Sequence, residues 1–544
     1  STSGSMNVVL EETNTMLDAV VVSGLATTVK RANLANAVDQ ISAKQLSEIT
    51  QQSTLDGALY GKFTGAQITS NSGSPGGGIG IRLRGLTSIN GPAQPLFIVD
   101  GVYVDNSSIP AGLNVVSAAA AGGSTAQFDQ DNASNRIADI DPGDIETIEI
   151  LKGASAAAIY GSRASSGVVI ITTKRGKSNR AGEGANIDFS QSTGFQTILN
   201  RLGTREWDAQ KVEDSFGPDE VANFEAASNA GTLHDYEDEL YGNTGLLSDT
   251  RLAVSGGSER TTFYSSATYK NETGIVPNTG YERMSLRLNV NHKVSDMIDL
   301  SLNSNYVKSS ADRGYFNNDN TSTTMGIAFV STPSWAQLQP DAEGNYPDNP
   351  YSASNFLQTA ALMTNNEKVD RIITGGNVST KLLTTDAHSL KLILLGGLDQ
   401  YSFRTNAIFP RELQFEKEGN GTNGASIQGN TNVNNYNLAA YLVHTYYAPS
   451  GKYSLRSQLG STNENRNRNT IITTATELIG SQTNVDQAGA IDVYQFRSSE
   501  QVIGWFLQEE LNLTDQIYLT AGIRADKSSN NGDANKYYYY PKAS

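Results

Sequence analysis

The chain has 544 residues, with 56 acidic against 40 basic side chains, a formal net charge of −16 and no cysteine. The acidic balance argues against general nucleic-acid binding, which requires a basic face. Without cysteine there are no disulfides, thiolate metal sites or cysteine nucleophile. No run of about 18 apolar residues predicts a membrane-spanning helix, although strand-based membrane proteins escape that test.

The N-terminal segment contains a valine-rich stretch, "LDAVVVSG", at residues 17–24. Its β-branched residues favour an extended strand, and the sequence offers no neighbouring strand for pairing. Such a segment can add to the sheet edge of another protein, where backbone hydrogen bonds supply the affinity. The alternatives are the last strand of a preceding domain or a disordered linker. We predict a partner-binding segment that consists of Leu17, Asp18, Ala19, Val20, Val21 and Val22.

Residues 25–178 read as a compact domain that mixes helices and strands. "PLFIVDGVYVDN" predicts two short strands that turn at Asp100-Gly101, a favoured hairpin dipeptide. "GVVIITTK" predicts a buried strand, and Pro142 within "DPGD" predicts the start of a helix. Further helices are predicted for "SAKQLSEI", "TLDGALYGKF" and "ASAAAIYGS".

From residue 185 onward, apolar and polar residues alternate with the period of two that is typical of strands. In "YERMSLRLNVNHK" the apolar residues Met284, Leu286 and Leu288 alternate with polar ones, and "IDLSLNSNYVK" and "QIYLTAGIRAD" repeat the pattern. Each segment has about ten residues, which is the length that a tilted strand needs to cross a bilayer. Inward polar residues such as Asn289 and Asn303 are expected to face the lumen.

The connections alternate between short and long. Turns such as "SGGSE", "KVSD" and "LTDQ" are interleaved with polar stretches near 198–247, 309–367, 403–430 and 465–492. A membrane barrel explains this alternation, because it has short turns at one rim and long loops at the other. A soluble sandwich or solenoid, the alternative, gives no reason for it.

Several of these segments, in order, resemble one known family. "LDAVVVSG", "IRLRGLTSINGPAQPLFIVDGVYVDN" and "IETIEILKGASAAAIYGSRASSGVVIITTKRGK" resemble the TonB box and plug signatures of SusC/RagA-like TonB-dependent transporters. "GIRADKSSNNGDANKYYYYPKAS" is similar to a strand pair in the middle of that family's barrel. One departure is Ala19, where the family often has an acidic residue.

The resemblance implies a membrane all-β fold, a large antiparallel transmembrane β-barrel of about 22 strands with an N-terminal α+β plug domain in the lumen. It assigns 1–16 to the end of a preceding small β-sandwich domain or a linker, 17–24 to the TonB box, 25–178 to the plug, and 179–544 to the first half of the barrel. About twelve barrel strands are present in the sequence. We therefore expect an open sheet, whose first strand near 185–196 and last strand from Tyr537 pair with strands that lie outside it.

Charged residues of the predicted plug are candidates for ion pairs with the polar barrel wall. They are Arg82, Arg84, Asp100, Glu146, Glu149, Lys152 and Arg163. The alternative for any one of them is an ordinary solvated charge. The glycine-rich "GGGIGIRLRG" does not predict a dinucleotide site, because the third glycine is replaced by Leu83 and a strand follows.

The sequence gives little support for an enzymatic function or a metal site. The four histidines are scattered without a recognised ligand spacing. "HDYEDE" at 234–239 reads as a solvated acidic loop with cation binding as the alternative. "DQDNASN" begins like a calcium loop, but Ala133 stands where the fifth-position ligand belongs. We therefore predict no enzymatic activity and no cofactor, with a loop-bound calcium ion as the remaining alternative.

The resemblance implies a function and partners. The expected function is TonB-dependent import of an oligosaccharide or peptide across the outer membrane of a Gram-negative bacterium. The expected partners are TonB, a SusD-like surface lipoprotein, the ligand and outer-membrane lipid, with no nucleic acid. The alternative is a ligand-binding or signalling receptor of the same fold without net transport.

Overall fold

The computed structural model describes most of the chain. The described residues are 20–22, 28–30, 38–43, 45, 59, 61–70, 73–83, 85, 94–120, 134–152, 160–178, 184–316, 319, 321–417, 421–514 and 516–544. Residues 1–19 lie outside this set, as do most of the three segments "SAKQLSEI", "TLDGALYGKF" and "ASAAAIYGS", so those predictions stay predictions.

A short hairpin is formed near the N-terminus. Val20–Val22 (β1) pairs antiparallel with Thr28–Lys30 (β2), and Val21 lies opposite Val29. The expectation that the valine stretch has no neighbouring strand is wrong. The sequence "TVK" also carries β-branched residues, and the intervening residues are enough for the chain to reverse.

The plug, as we call the domain that lies on the concave side of the large sheet, contains a five-stranded mixed sheet. The strands of the plug are Val38–Ser42 (β3), Ala66–Ser70 (β4), Ile79–Leu83 (β5), Leu96–Val99 (β6), Val102–Val104 (β7), Ile145–Leu151 (β8) and Val168–Thr173 (β9), and its described residues include the α-helix Asn114–Ala120 (α1). The order in the five-stranded sheet is β3-β8-β9-β6-β7, in which β6 and β9 are parallel, and β4 and β5 form a separate hairpin.

The plug sheet tests two of the sequence predictions, the hairpin at Asp100-Gly101 and the helix that begins at Pro142. The hairpin at Asp100-Gly101 is confirmed, and both residues have the positive φ, 48° and 89°, that this tight turn requires. The helix predicted from Pro142 is wrong. Pro142–Asp144 forms a single 3₁₀ turn, in which the Asp141 side chain accepts a hydrogen bond from Gly143 N. A strand follows because "IETIEIL" is rich in β-branched residues that the sheet buries.

The large sheet has twelve strands, each antiparallel to the next in chain order from β10 to β21. The strands are Asn186–Gln196 (β10), Gly245–Gly257 (β11), Thr261–Thr273 (β12), Gly280–Lys293 (β13), Ile298–Asp312 (β14), Thr364–Thr384 (β15), His388–Phe409 (β16), Ala425–Tyr447 (β17), Tyr453–Leu478 (β18), Ala488–Leu513 (β19), Ile517–Ser528 (β20) and Tyr538–Ala543 (β21). Among the described residues β10 and β21 are not paired with each other. A plug with an open part of a barrel confirms the predicted fold class.

Short turns gather at one rim of this sheet and longer connections at the other. The short-turn rim has the connections 258–260, 294–297, 385–387, 448–452 and 514–516, and the long-loop rim has 197–244, 313–363 and 410–424 among others. The stretch 465–492 is mostly strand instead of the predicted loop. Several strands are also longer than the expected ten residues, up to 26 in β18. Their polar segments near the long-loop rim continue the strand-to-strand hydrogen bonds beyond the apolar zone.

The α-helices in the described chain outside the plug lie in two of the long loops. The loop 197–244 contains Ala209–Phe216 (α2), Pro218–Ala230 (α3) and Tyr236–Tyr241 (α4), and the loop 313–363 contains Met325–Ser331 (α5) and Phe356–Leu362 (α6). None of the helices in the described part of the chain is long and apolar enough to cross a membrane.

The two faces of the large sheet differ in character. The convex face exposes large apolar side chains on successive strands, such as Leu286, Leu302, Ile372, Leu394 and Leu438. The concave face alternates with it and is covered by the plug. Plug strands pack their apolar residues against wall residues that include Ile373, Ile393, Tyr441 and Phe506.

Candidate functional site at the plug–wall interface

Four buried arginines of the wall form ion pairs with acidic residues of the plug. Arg251 lies on β11, Arg283 and Arg287 on β13, and Arg371 on β15, each in the inward register of its strand. Because side chains alternate across a strand, a two-residue spacing keeps charge on the inner face while apolar residues remain outside. Arginine offers several donors in a planar fork, which suits it to buried carboxylates and carbonyls.

Asp144 of the plug is the carboxylate with the densest set of wall contacts. Its Oδ1 accepts hydrogen bonds from Arg251 Nη2 at 3.1 Å, Tyr264 OH at 2.9 Å and Ser266 Oγ at 2.6 Å. Its Oδ2 accepts one from Arg287 Nε at 3.1 Å. Burial opposes ionisation, but Arg287 and Arg251 outweigh it and hold the pKa of Asp144 below its usual value. The plug is thus joined to three neighbouring wall strands through one side chain.

Arg371 forms the centre of a second group of contacts. It makes a two-pronged ion pair with Asp399 of the wall, at 2.8 and 2.9 Å, and its Nη1 donates to plug Asp139 at 2.9 Å. It also donates to the backbone oxygens of Arg136 and Asp105 in the plug. One buried guanidinium therefore crosses from the wall to two separate segments of the plug.

Asp105 adds a second contact with β16 to the same group and links it to one further wall strand, β18. It accepts a hydrogen bond from Tyr401 OH at 2.6 Å and lies 3.4 Å from Arg466. Burial raises its pKa, but the hydrogen bond from Tyr401 and the charge of Arg466 more than compensate, so the pKa of Asp105 is lowered. The carboxylate is thereby kept charged within the interface.

Two of the predicted charged residues contact the wall. Asp100 lies 3.7 Å from Arg287, and its side chain accepts hydrogen bonds from Thr173, which fixes the hairpin turn. Arg163 forms an ion pair with Glu464 of β18. Arg163–Glu464 has the opposite polarity to the other contacts, with the cation in the plug.

The other predicted residues lie elsewhere. Lys152 pairs with Asp39, and Glu149 accepts a hydrogen bond from Gln40, so both contacts are inside the plug. Glu146 and Arg82 are exposed, and Arg84 lies outside the described residues. The structure therefore brings only part of the predicted set to the wall.

Sequence reasoning missed the plug acids that make most of the wall contacts. These acids are Asp105, Asp139, Asp141 and Asp144. The sequence "DPGD" predicted a helix start, which accounted for Asp141 and Asp144 without a contact to the wall. The inward register of the wall arginines was the available signal, because buried arginines require carboxylates opposite them.

A cavity of about 430 Å³ remains between plug and wall. It is lined by Tyr103 and Tyr160 of the plug and by Asn437, Tyr441 and Arg524 of the wall. Beside it, Asn437 donates to Gly101 O at 3.0 Å and accepts from Tyr103 N at 3.1 Å. The plug hairpin is therefore in direct contact with β17.

Aromatic packing holds the two large loops of the long-loop rim together. Trp335 of the second loop packs edge-to-face against Trp207, Phe216 and Phe224 of the first. Glu220 accepts hydrogen bonds from Trp335 Nε1 and from Tyr351 OH. These contacts join helices α2 and α3 to the segment between α5 and α6, so the two loops form one platform above the plug.

The acidic segment "HDYEDE" takes part in the same platform. His234 Nδ1 lies 2.8 Å from Glu239, and Glu237 accepts backbone hydrogen bonds from Leu202 and Gly203. Asp238 pairs with Arg201. These carboxylates are thus engaged in contacts with neighbouring residues of the loops.

The remaining ligand candidates give no cluster in the described part of the chain. There, no group of three or more His, Asp or Glu side chains is arranged to hold a metal ion. His388 and His444, far apart in sequence, do come together, with Nδ1 3.1 Å from Nε2 on the convex face. Residues 129–133 of "DQDNASN" lie outside the described set, and Asn135 is bonded to the backbone of Ile79.

Comparisons with known proteins agree with this arrangement. A family model described as the TonB-dependent receptor plug domain matches residues 30–168. TonB-dependent receptor SusC of Bacteroides thetaiotaomicron is 27% identical over 495 residues, which cover 85% of this chain and 44% of that protein. TonB-dependent receptor P3 of Formosa agariphila is 30% identical over 367 residues, or 64% of this chain and 31% of that protein.

A solved structure supports the same fold. The RagAB peptide importer in its open-open state aligns with a TM-score of 0.70 and 20% identity, over 96% of this chain and 58% of that chain. The chain thus spans less than half the length of the two curated relatives that it matches.

Proposed function

We propose that this protein, a SusC/RagA-like TonB-dependent receptor, imports a large nutrient across the outer membrane, driven by TonB. The cargo in this proposal is an oligosaccharide or a peptide, bound on the long-loop side in cooperation with a SusD-like surface lipoprotein. The proposal includes no catalytic step. TonB-dependent receptors are outer-membrane β-barrel proteins, and the apolar convex face suits that location.

The polar attachment of the plug carries the proposal. Asp144, Asp139 and Asp105 are attached to arginines on several wall strands instead of being sealed by apolar packing alone. Charge-assisted hydrogen bonds are specific, and a displaced polar group can be re-solvated when water enters. Such an interface suits a closure that must hold at rest and separate under force.

The valine segment supplies the proposed point of attachment for that force. In the β1–β2 hairpin, β1 has a second backbone edge, and a partner strand can add to it by hydrogen bonds. Seven residues of the sequence separate β2 from the first plug strand, β3. A pull on Val20–Val22 would therefore act on β3 and, through it, on β8, which begins directly after Asp144.

Uptake measurements separate import from the alternative of a receptor without transport. Cells that express the protein would be given labelled oligosaccharides and peptides, with surface binding and internalisation measured before and after the proton gradient is collapsed. We expect binding to persist and internalisation to stop. Internalisation that is unaffected by loss of the gradient, or binding without any internalisation, would contradict the proposed function.

A further inference from the structure

A basic patch lies on the convex face of the sheet, away from the plug and the loops. It consists of Lys308 on β14, Lys368 on β15 and Arg404 on β16, all exposed and all in the outward register. Lys368 lies directly opposite Arg404 on the neighbouring strand. Lys308 lies opposite Asp370, which is two residues after Lys368 on β15. Neighbouring strands are about 4.8 Å apart, so the three cations share a surface about 10 Å wide.

The patch borders the apolar zone of the same face. One outward position below Lys308 is Tyr306, and below Asp370 is Ile372, both of which are exposed. Farther down follow Leu302 and Leu394. On β14 and β15 the patch thus occupies the first charged level above the apolar belt, on the side of the long-loop rim, which is where lipid headgroups meet a membrane protein.

The charge of the patch is only partly neutralised. Asp370 Oδ2 lies 2.5 Å from Arg404 Nη2, and Asp370 Oδ1 accepts from Tyr306 OH at 3.4 Å. Within the described residues, no carboxylate lies at ion-pair distance from Lys308 or Lys368. The patch therefore carries a net charge of about +2 on a chain whose overall charge is −16.

Carboxylates higher on the same face are held by neighbouring amides. Asp312 accepts a hydrogen bond from Asn366 at 2.7 Å, and Glu282 accepts one from Asn271 at 3.1 Å. At the level of the patch, the next strands carry the neutral residues Met284 and Asn432. The patch is consequently flanked by neutral residues on both of the adjoining strands.

We propose that Lys308, Lys368 and Arg404 bind the phosphate groups of a lipid whose acyl chains lie on the apolar belt below them. A phosphate at this level is within reach of three cations, and arginine can bind it with two parallel hydrogen bonds. A basic residue at a membrane surface contributes about 1 kcal/mol of attraction to an anionic headgroup. This inference rests on the outer-membrane location and is independent of transport.

The test is lipid binding to the purified full-length protein in detergent, measured by native mass spectrometry. The probes are lipid A with two phosphates, the same lipid without phosphates, and inorganic phosphate. The triple variant K308Q/K368Q/R404Q would be compared with K293Q/K381Q/K452Q, which removes the same charge at the short-turn rim. A charge-preserving variant, K308R/K368R, shows whether substitution alone disturbs insertion.

We expect the phosphorylated lipid to bind the patch variant roughly 100-fold more weakly than the control variant. The arginine variant should keep the affinity, and the lipid without phosphates should bind all proteins alike. Equal affinity of both triple variants for phosphorylated lipid A would overturn the proposal. Inorganic phosphate that binds as tightly as the lipid would do so too, because the patch would then be a site for the free ion.

Discussion

Asp144 offers a direct way to measure how strongly polar contacts hold the plug. Asp144→Asn keeps the shape of the side chain but leaves Arg251 and Arg287 buried beside a neutral amide. Removing one partner of a buried ion pair costs about 3–5 kcal/mol. Arg287 also lies 3.7 Å from Asp100, which compensates in part, so the lower end of about 3 kcal/mol is the better expectation.

Hydrogen exchange of the plug amides is the appropriate assay. Local detachment of the 3₁₀ turn and β8 exposes their backbone hydrogen bonds, and about 3 kcal/mol corresponds to roughly a 100-fold faster exchange. Glu146→Gln is the matched control, since Glu146 lies two residues away and is exposed. Its effect should stay within about 0.5 kcal/mol. If the two variants exchange at the same rate, the carboxylate contacts do not hold the plug, and the reasoning is refuted.

Three further predictions concern the segment, the membrane face and a loop. Deletion of Leu17–Val22 should stop energised uptake while surface binding and barrel assembly persist, because strand addition needs that backbone; unchanged uptake would disprove the assignment. Leu286→Arg should destabilise the assembled barrel by about 2–4 kcal/mol if the residue lies near the bilayer midplane, whereas Glu282→Arg, above the apolar belt, should have only a small effect on assembly. Heat-modifiability on gels measures assembly of both variants, and equal assembly of the two would favour a soluble sheet. Burial raises the pKa of Glu416 to about 7, so the loop should lose roughly 3 kcal/mol of stability as the pH rises from about 4.5 to 7. Glu416→Gln should abolish this pH dependence of loop proteolysis, and a pH profile that persists in the variant would assign the titration to another group.

The predicted pKa effect at Glu416 has a structural cause. The side chain is fully buried, and its Oε2 accepts backbone hydrogen bonds at 2.9 Å from Thr422 and Gly424. Its Oε1 has no hydrogen-bond partner among the described residues. Folding raises the affinity for a proton, so the neutral form stabilises the loop at low pH and the charged form costs stability at higher pH.

The strand pattern of the wall was predictable because the alternation of side chains is a local property. Leu286 and Leu302 lie on the convex face, as the period of two indicates. What the wall residues contact was not predictable. Asn289 was expected to face a polar lumen, but it is buried and donates to Thr173 Oγ1 and Lys174 O of the plug. A substitution there would disturb the plug.

The plug contacts were less accessible from sequence, for a physical reason. Their partners are separated by more than a hundred residues, as in Asp144–Arg287 and Asp139–Arg371. A local pattern such as "DPGD" is equally compatible with a helix start and with a turn before a strand. Only the tertiary pairing of β8 with β9 and β3 decides between them.

A reversible tether between plug and wall tests the central claim, that the plug must leave the wall during import. A Cβ at Gly375 of β15 would lie 2.6 Å from Val102 Cγ2 of the plug hairpin, so the two Cβ atoms come within about 4 Å, as a disulfide requires. The chain has no other cysteine, and each single variant serves as a control.

Uptake by V102C/G375C would be measured after oxidation and again after reduction, with surface binding recorded in parallel. The oxidised protein should bind ligand but import none, and reduction should restore import to the rate of the single variants. Import by the fully oxidised protein at that same rate would contradict the account, because the plug hairpin would then stay on the wall throughout transport.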